Sequence, residues 1–196
     1  MSIKKEISDT MRKLYSKKYI SIRDGNVSFK PKFKNYFYIS AGSVKKNEMN
    51  EDQVMKVGFT GTNIYYDKSY MYKPSRELNL HSLLQMAPEY HNKDTFIVHA
   101  HPPNITAFIG IQKSQELKEI QNIFPEVNVG KIGDNVKFHE AGSFDLAEDC
   151  YNKLLNNKII GMERHGSLSI GPDLDKIFED IETLEYYIDI ALKSKN

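Results

Sequence analysis

His99 and His101 stand two residues apart at the end of the apolar run Phe96-Ile97-Val98, and Pro102-Pro103 closes the segment. Short β-forming runs ended by proline read as buried strands. Residues two apart on a strand share a face, so both imidazoles are directed to one side, a spacing that suits two ligands of one metal ion. Taken alone, the pair fits a metal site and a simple strand cap equally. His165 is the candidate third ligand, because Ile159 and Ile160 begin another apolar run that ends at a histidine, here followed by Gly166.

Around these imidazoles the chain offers one acid and two small-residue turns. Glu77 follows Pro74-Ser75-Arg76, where Ser75 is placed to cap a helix whose first turn holds the glutamate. An acid there either favours the helix dipole or does proton chemistry. Ser75 and the first amides of that helix form one potential phosphate seat. Gly42-Ser43, directly after the strand-like Tyr36-Phe37-Tyr38-Ile39, is an ordinary turn or a second anion-holding turn of backbone N–H groups.

These residues need a scaffold, and 196 residues suffice for one domain, 1–196, with a sizeable core. The 27 basic and 26 acidic side chains nearly cancel, so no global field draws nucleic acid or an anionic membrane, and any affinity for a charged substrate must be local. The single cysteine, Cys150, rules out a disulfide framework, leaves histidine and carboxylate as metal ligands, and fits a reducing cytoplasm. No signal peptide and no apolar run of membrane-spanning length is read.

The periodicities give the scaffold its parts. Ile3, Ile7, Met11 and Leu14 mark a packing helix, and Asp24-Gly25 is a turn leading into the alternating strand Asn26–Lys30, whose hairpin partner is Tyr36–Ile39. Strands are expected at 53–57 and 63–66 with Gly58 and Gly61 between them, and Leu80, Leu83, Leu84 and Ala87 stripe a helix ended by Pro88. Short helices are expected at 104–111 and 114–124, and weak strands around 127–129 and 136–138. Beyond them come a helix capped by Ser143, strands at 159–162 and 168–170, and a long amphipathic helix after Gly171-Pro172-Asp173. Helices interspersed with short hairpin-like strands predict an α/β fold, a three-layer αβα sandwich around a mixed, largely antiparallel sheet.

In order along nearly the whole chain stand Gly25-Asn26-Val27-Ser28, Ile39-Ser40-Ala41-Gly42-Ser43-Val44, Pro74-Ser75-Arg76-Glu77, His99-Ala100-His101-Pro102, Arg164-His165-Gly166 and the terminal helix. With these motifs in this order and spacing, the chain resembles the class II aldolase/adducin family, typified by zinc-dependent aldolases of the fuculose-1-phosphate type. The resemblance implies one Zn2+ per chain on His99, His101 and His165, with Glu77 as a proton-transferring base or an additional ligand. It also implies substrate phosphate held by Asn26, Gly42, Ser43, Ser75 and Arg76, and a homotetramer with active sites between subunits. The implied activity is that of a lyase cleaving a sugar phosphate through a metal-stabilised enediolate. Related alternatives are pentulose-phosphate epimerase, methylthioribulose-1-phosphate dehydratase or sugar-acid phosphate decarboxylase chemistry, and a non-catalytic module like the adducin head.

The chain departs from the pattern in three places. It has Gly42-Ser43 where relatives usually have a hydroxyl residue and then glycine, and Ser75-Arg76 where two serines usually precede the glutamate. No tyrosine occupies the place between the second and third histidines from which the aldolases draw an acid, and His139 and Tyr151 are the only histidine and tyrosine in that interval. Guanidinium pairs well with phosphate or carboxylate, so Arg76 favours an anionic substrate. Tyrosine clusters at 65–66, 70/72 and 186–187 suit subunit contacts, since the ring has an apolar body and a polar tip.

Overall fold

The computed structural model describes residues 2–110 and 115–194. Among these residues seven strands form one sheet: β1 (Asn26–Lys30), β2 (Tyr36–Ser40), β3 (Val54–Thr60), β4 (Asn63–Tyr65), β5 (Thr95–Ala100), β6 (Ile159–Met162) and β7 (Gly166–Gly171). Their spatial order is β4-β3-β2-β1-β5-β7-β6, and every adjacent pair is antiparallel. The largely antiparallel sheet between helices expected from the sequence is found, with every strand-to-strand pairing antiparallel. Its parallel pairings are two isolated bridges, Ile132 to Ile159 and Val136 to Met162, beside the β6 edge.

Helices cover both faces, which explains why all six residues of the central β5 are buried and why its sequence is an unbroken apolar run rather than an alternation. One face packs against α1 (Ile3–Ser16), α3 (Pro103–Ile109), α4 (Ile120–Ile123) and α6 (Leu174–Lys193), with Val27, Phe96 and Val98 on the sheet side. The other packs against α2 (Leu78–Met86) and α5 (Phe144–Leu154), with Ile97, Leu168 and Ile170 facing Leu80, Leu84 and Cys150. Helix α6 buries Ile177, Phe178, Ile181, Leu184 and Ile188 along one stripe. Each such side chain contributes about 1.5–3 kcal/mol of transfer free energy, so the terminal helix anchors that layer.

Caps behave as their residue types require: Ser143 Oγ accepts from the Leu146 N–H, and Asp173 begins α6 by accepting from the Lys176 N–H. Less regular stretches depart from expectation. Gly58 lies inside β3 instead of between strands, and no strand forms at 127–129 or 136–138, although Val127, Val129 and Val136 are buried. Val136 makes a single bridge to Met162 that does not extend into a strand, and Val127 and Val129 fill the core without strand pairing. The helices expected at 104–111 and 114–124 are Pro103–Ile109, a single 3-10 turn at Leu117–Glu119, and α4. The expected ends at Ile111 and Ser114 lie outside the described residues.

Candidate metal centre and anion cleft

Three elements that meet at one end of the sheet bring the histidines together. His99 is the fifth residue of β5, where its Cα faces Asn26 on one neighbouring strand and Leu168 on the other. His101 lies just beyond β5, held by its own N–H donating to the Tyr19 carbonyl at 2.7 Å. His165 sits in the tight β6–β7 turn, where Arg164 adopts a left-handed conformation (φ 58°). Gly166 lets that turn close on β5: with φ at 149°, a Cβ there would lie 2.2 Å from the Ala100 carbonyl oxygen and 3.1 Å from the His101 Cα. The glycine after the third histidine is therefore a steric requirement for bringing His165 to the other two.

The imidazoles present their Nε2 atoms to a common point. His101 Nε2 is 2.9 Å from His99 Nε2, which is 3.2 Å from His165 Nε2. Ligands of a tetrahedral cation at about 2.0–2.1 Å would be about 3.3 Å apart, so the donor set fits a divalent metal such as zinc with one position left open. Outer partners point the rings. His99 Nδ1–H donates to the Ser167 carbonyl at 3.0 Å, which leaves Nε2 as the free lone pair, and His101 Nδ1 lies 3.6 Å from Asp24 Oδ2. Asp24 is itself fixed by the Ser21 N–H and hydroxyl at 2.6 and 2.5 Å. Burial depresses all three imidazoles: His99 well below the usual range, His165 to about 4, and His101 in the same direction, with Asp24 opposing. Neutral imidazole is the form a metal binds.

Glu77 stands against this cluster, buried, with Oε1 3.7 Å from His165 Nε2 and Oε2 accepting the Gly142 N–H at 3.2 Å. Burial raises its pKa, while the Gly142 N–H and the Arg76 charge pull the other way. Helix α2 begins at Leu78, so Glu77 is the residue ahead of the helix and not a member of its first turn. Ser75 does not cap the helix as expected: the N-cap position is Glu77, which has no side-chain capping bond, and Ser75 Oγ instead accepts the Glu77 N–H at 3.2 Å in the turn ahead of α2.

A cleft of about 810 Å³ opens over the histidines, and all nine residues singled out in the sequence line it: Asn26, Gly42, Ser43, Ser75, Arg76, Glu77, His99, His101 and His165. The small-residue turn is spent differently from expectation. The Gly42 N–H donates to the Lys73 carbonyl at 3.0 Å, so this amide serves the fold rather than an anion. Ser43 adopts φ 58°, and Arg23 clamps its carbonyl at 2.8 Å. Arg76 is exposed, 3.7 Å from Glu140.

Several cleft residues carried no usable signal in the sequence. Lys46 is 1% exposed, donates to the Ala41 carbonyl at 2.6 Å beneath the turn, and has its pKa lowered to about 8 by burial. In the sequence it is one lysine in a charged run. Arg23 and Lys73 add further positive charge to the wall. His81, buried behind the cleft, was detectable in principle, since it stands one helical turn after Glu77. Neither the histidine nor the tyrosine of that interval joins the cleft: His139 pairs with Asp149 at 3.3 Å, and Tyr151 packs against the α2–α5 core.

The sequence matches the family described as "Class II Aldolase and Adducin N-terminal domain" over residues 5–192. It is 31% identical over 191 residues to an L-fuculose phosphate aldolase of Methanocaldococcus jannaschii, covering 96% of this chain and 95% of the other. It is 32% identical over 174 residues to the L-fuculose phosphate aldolase of Methanococcus maripaludis, covering 88% and 86%. Among solved structures, the sugar-phosphate aldolase of Thermotoga maritima superposes with a TM-score of 0.81 at 22% identity, covering 96% of this chain and 92% of that one. An L-fuculose 1-phosphate aldolase superposes with a TM-score of 0.78 at 20% identity, covering 99% and 86%.

Proposed function

The chain belongs to the class II aldolase and adducin family as a metal-dependent lyase with a three-histidine site, and from that premise we propose that it cleaves a phosphorylated ketose, with zinc as its metal. The observation that carries this reading is the convergence of three Nε2 atoms beside a buried carboxylate at the floor of a cleft whose wall is rich in positive charge. A divalent cation held by His99, His101 and His165 would supply Lewis-acid polarisation of the substrate's carbonyl and hydroxyl oxygens.

The chain's own groups do the rest. Aldol cleavage removes a hydroxyl proton, breaks the adjoining carbon–carbon bond and returns a proton to the carbon left behind. Glu77 is the group placed to take or give a proton, and its raised pKa brings it nearer to neutral pH, where such transfers are efficient. Asn26, Ser43, Ser75 and Arg76 would hold the phosphate, with Gly42 allowing close approach of the turn to Pro74 and Ser75, and Lys46 and Arg23 supporting that turn from behind. Anchoring the substrate by a group remote from the reacting carbons contributes orientation.

The similarity to L-fuculose phosphate aldolases supports a deoxyketose 1-phosphate as the substrate class. A homotetramer with sites between subunits is part of the same proposal. It is supported by the exposed rings of Tyr65, Tyr70 and Tyr186 and by Met71, 81% exposed at the cleft rim. Tyr66, Tyr72 and Tyr187 instead pack on the core. A reducing, cytoplasmic setting fits the buried thiol of Cys150, and among the described residues no helix is long and apolar enough to cross a membrane.

The test is metal analysis followed by a screen of ketose 1-phosphates, pentulose phosphates and phosphorylated sugar acids. Metal-dependent release of an aldehyde from a ketose 1-phosphate is expected. Bound metal with no turnover of any of them would return the chain to the binding-module reading.

A further inference from the structure

Behind the cleft, between β1 and α2, a line of buried polar side chains runs from a backbone carbonyl to Asn26. We propose that His81 is a positioning residue: with Ser28 and Gln85 it locks the Asn26 side chain with its oxygen inward and its NH2 toward the cleft, making Asn26 an obligate hydrogen-bond donor to the substrate's anionic group. The identity of that anion as a phosphate rests on the functional reading above.

The direction of every hydrogen bond follows from the first. The Thr95 carbonyl can only accept, and Gln85 Nε2 donates to it at 3.2 Å and to Ser28 Oγ at 2.8 Å. Rotating the Gln85 amide would set its oxygen against that carbonyl, two acceptors facing, so the amide keeps this orientation even though its Oε1 is left buried without a partner. Ser28 Oγ has two side-chain neighbours, and since the Gln85 NH2 cannot accept, the hydroxyl hydrogen goes to His81 Nδ1, 2.6 Å away. Nδ1 is then the lone pair, and a neutral ring carries its hydrogen on Nε2, which donates to Asn26 Oδ1. Full burial keeps the ring neutral, with a pKa lowered to about 3.

Among the described residues nothing takes up the Asn26 Nδ2 hydrogens, and Asn26 lines the cleft. Its Cα partner in the sheet is that of His99, so this fixed donor sits one strand from the histidine cluster. A free asparagine could turn either its oxygen or its NH2 to a ligand. Here a hydroxyl donor would meet only NH2, while an acceptor-rich anion is matched.

Two measurements test this. In 15N-labelled protein, long-range nitrogen–proton correlations should show His81 as the neutral Nε2–H tautomer at pH 7, and an Nδ1–H tautomer or a charged ring overturns the proposal. Titration of metal-loaded protein with inorganic phosphate should show Asn26→Ala and His81→Ala each weakening binding about tenfold. The double variant should bind no worse than Asn26→Ala alone, with metal content unchanged throughout. Losses that add overturn the proposal, because a merely structural His81 would act independently of Asn26. If His81→Ala does not fold, Ser28→Ala, which removes the hydroxyl that sets the tautomer, is carried through the same cycle. Failure of the unaltered protein to bind phosphate also overturns it. Intact phosphate binding and coupling without turnover of any sugar phosphate would instead overturn the functional reading and leave this one standing.

Discussion

Glu77 Oε1 lies 3.7 Å from His165 Nε2, and the two residues reach that distance from opposite sides of the site, one from the start of α2 and the other from the β6–β7 turn. Because Glu77 Oε2 is tied to the Gly142 N–H, the carboxylate is held with one oxygen toward the histidines. Glu77→Gln preserves that tie, since an amide oxygen also accepts. Turnover is expected to fall by about 10²–10⁴-fold with KM and metal content little changed. Steady-state kinetics beside elemental analysis checks this, and an unchanged kcat would reduce Glu77 to a helix-start acid.

Replacing any one of His99, His101 or His165 with alanine should take bound metal from about one per chain to a substoichiometric amount after dialysis. The unaltered protein should recover its metal and its activity together on adding back a divalent ion. A variant that kept full metal occupancy without His165 would separate that residue from the centre.

The Gly42-Ser43 turn makes a steric prediction. A Cβ on Gly42 would lie 2.9 Å from the Pro74 carbonyl oxygen and 3.3 Å from the Ser75 Cα. Gly42→Ser should therefore destabilise the chain by about 1–3 kcal/mol and raise KM by displacing Ser75. Ser43→Gly relieves a left-handed serine but adds freedom to the unfolded chain, so its stability should stay within about 1 kcal/mol of the parent. Chemical denaturation of both variants measures the contrast.

Acid should weaken the fold partly through His81. Its folded pKa is lowered to about 3, against about 6.5 in the unfolded chain. The unfolded state therefore binds the extra proton between those values. Stability from this group is whole above the unfolded pKa and is lost as pH falls toward the folded one, at about 1.4 kcal/mol per pH unit. In metal-free protein, His81→Leu should flatten the pH dependence of unfolding by that slope, and an unchanged slope would mean that His81 is already protonated or hydrated in the folded state.

If the missing acid comes from a neighbouring subunit, dilution to monomers should abolish turnover and leave the metal bound, because all three histidines belong to one chain. Light scattering with activity over a dilution series decides it. A fully active monomer would rule out a shared site.

How much of this was legible in the sequence depended on the range of the interactions involved. The metal histidines could be read because strand alternation and the punctuation by Pro102 and Gly166 are local, and the strand Asn26–Lys30 and the Ser143 and Asp173 caps were legible for the same reason. The antiparallel sheet throughout, and the loss of strands at the buried Val127, Val129 and Val136, were decided by which segments found pairing partners, a property of the assembled sheet. The cleft over the histidines shows the same division. Asn26, Ser75 and Arg76 stood in recognisable motifs, whereas the engagement of the Gly42 amide by Lys73 and the burial of Lys46 arise from how the segments after β2 and before α2 meet, and the line from Thr95 through Gln85, Ser28 and His81 arises only when β1, β5 and α2 pack together. By itself the sequence determined which side chains were available for chemistry and the local elements that carry them. Tertiary structure alone decided which of their atoms point inward, because a buried polar group takes its orientation from partners distant in the chain that water no longer replaces.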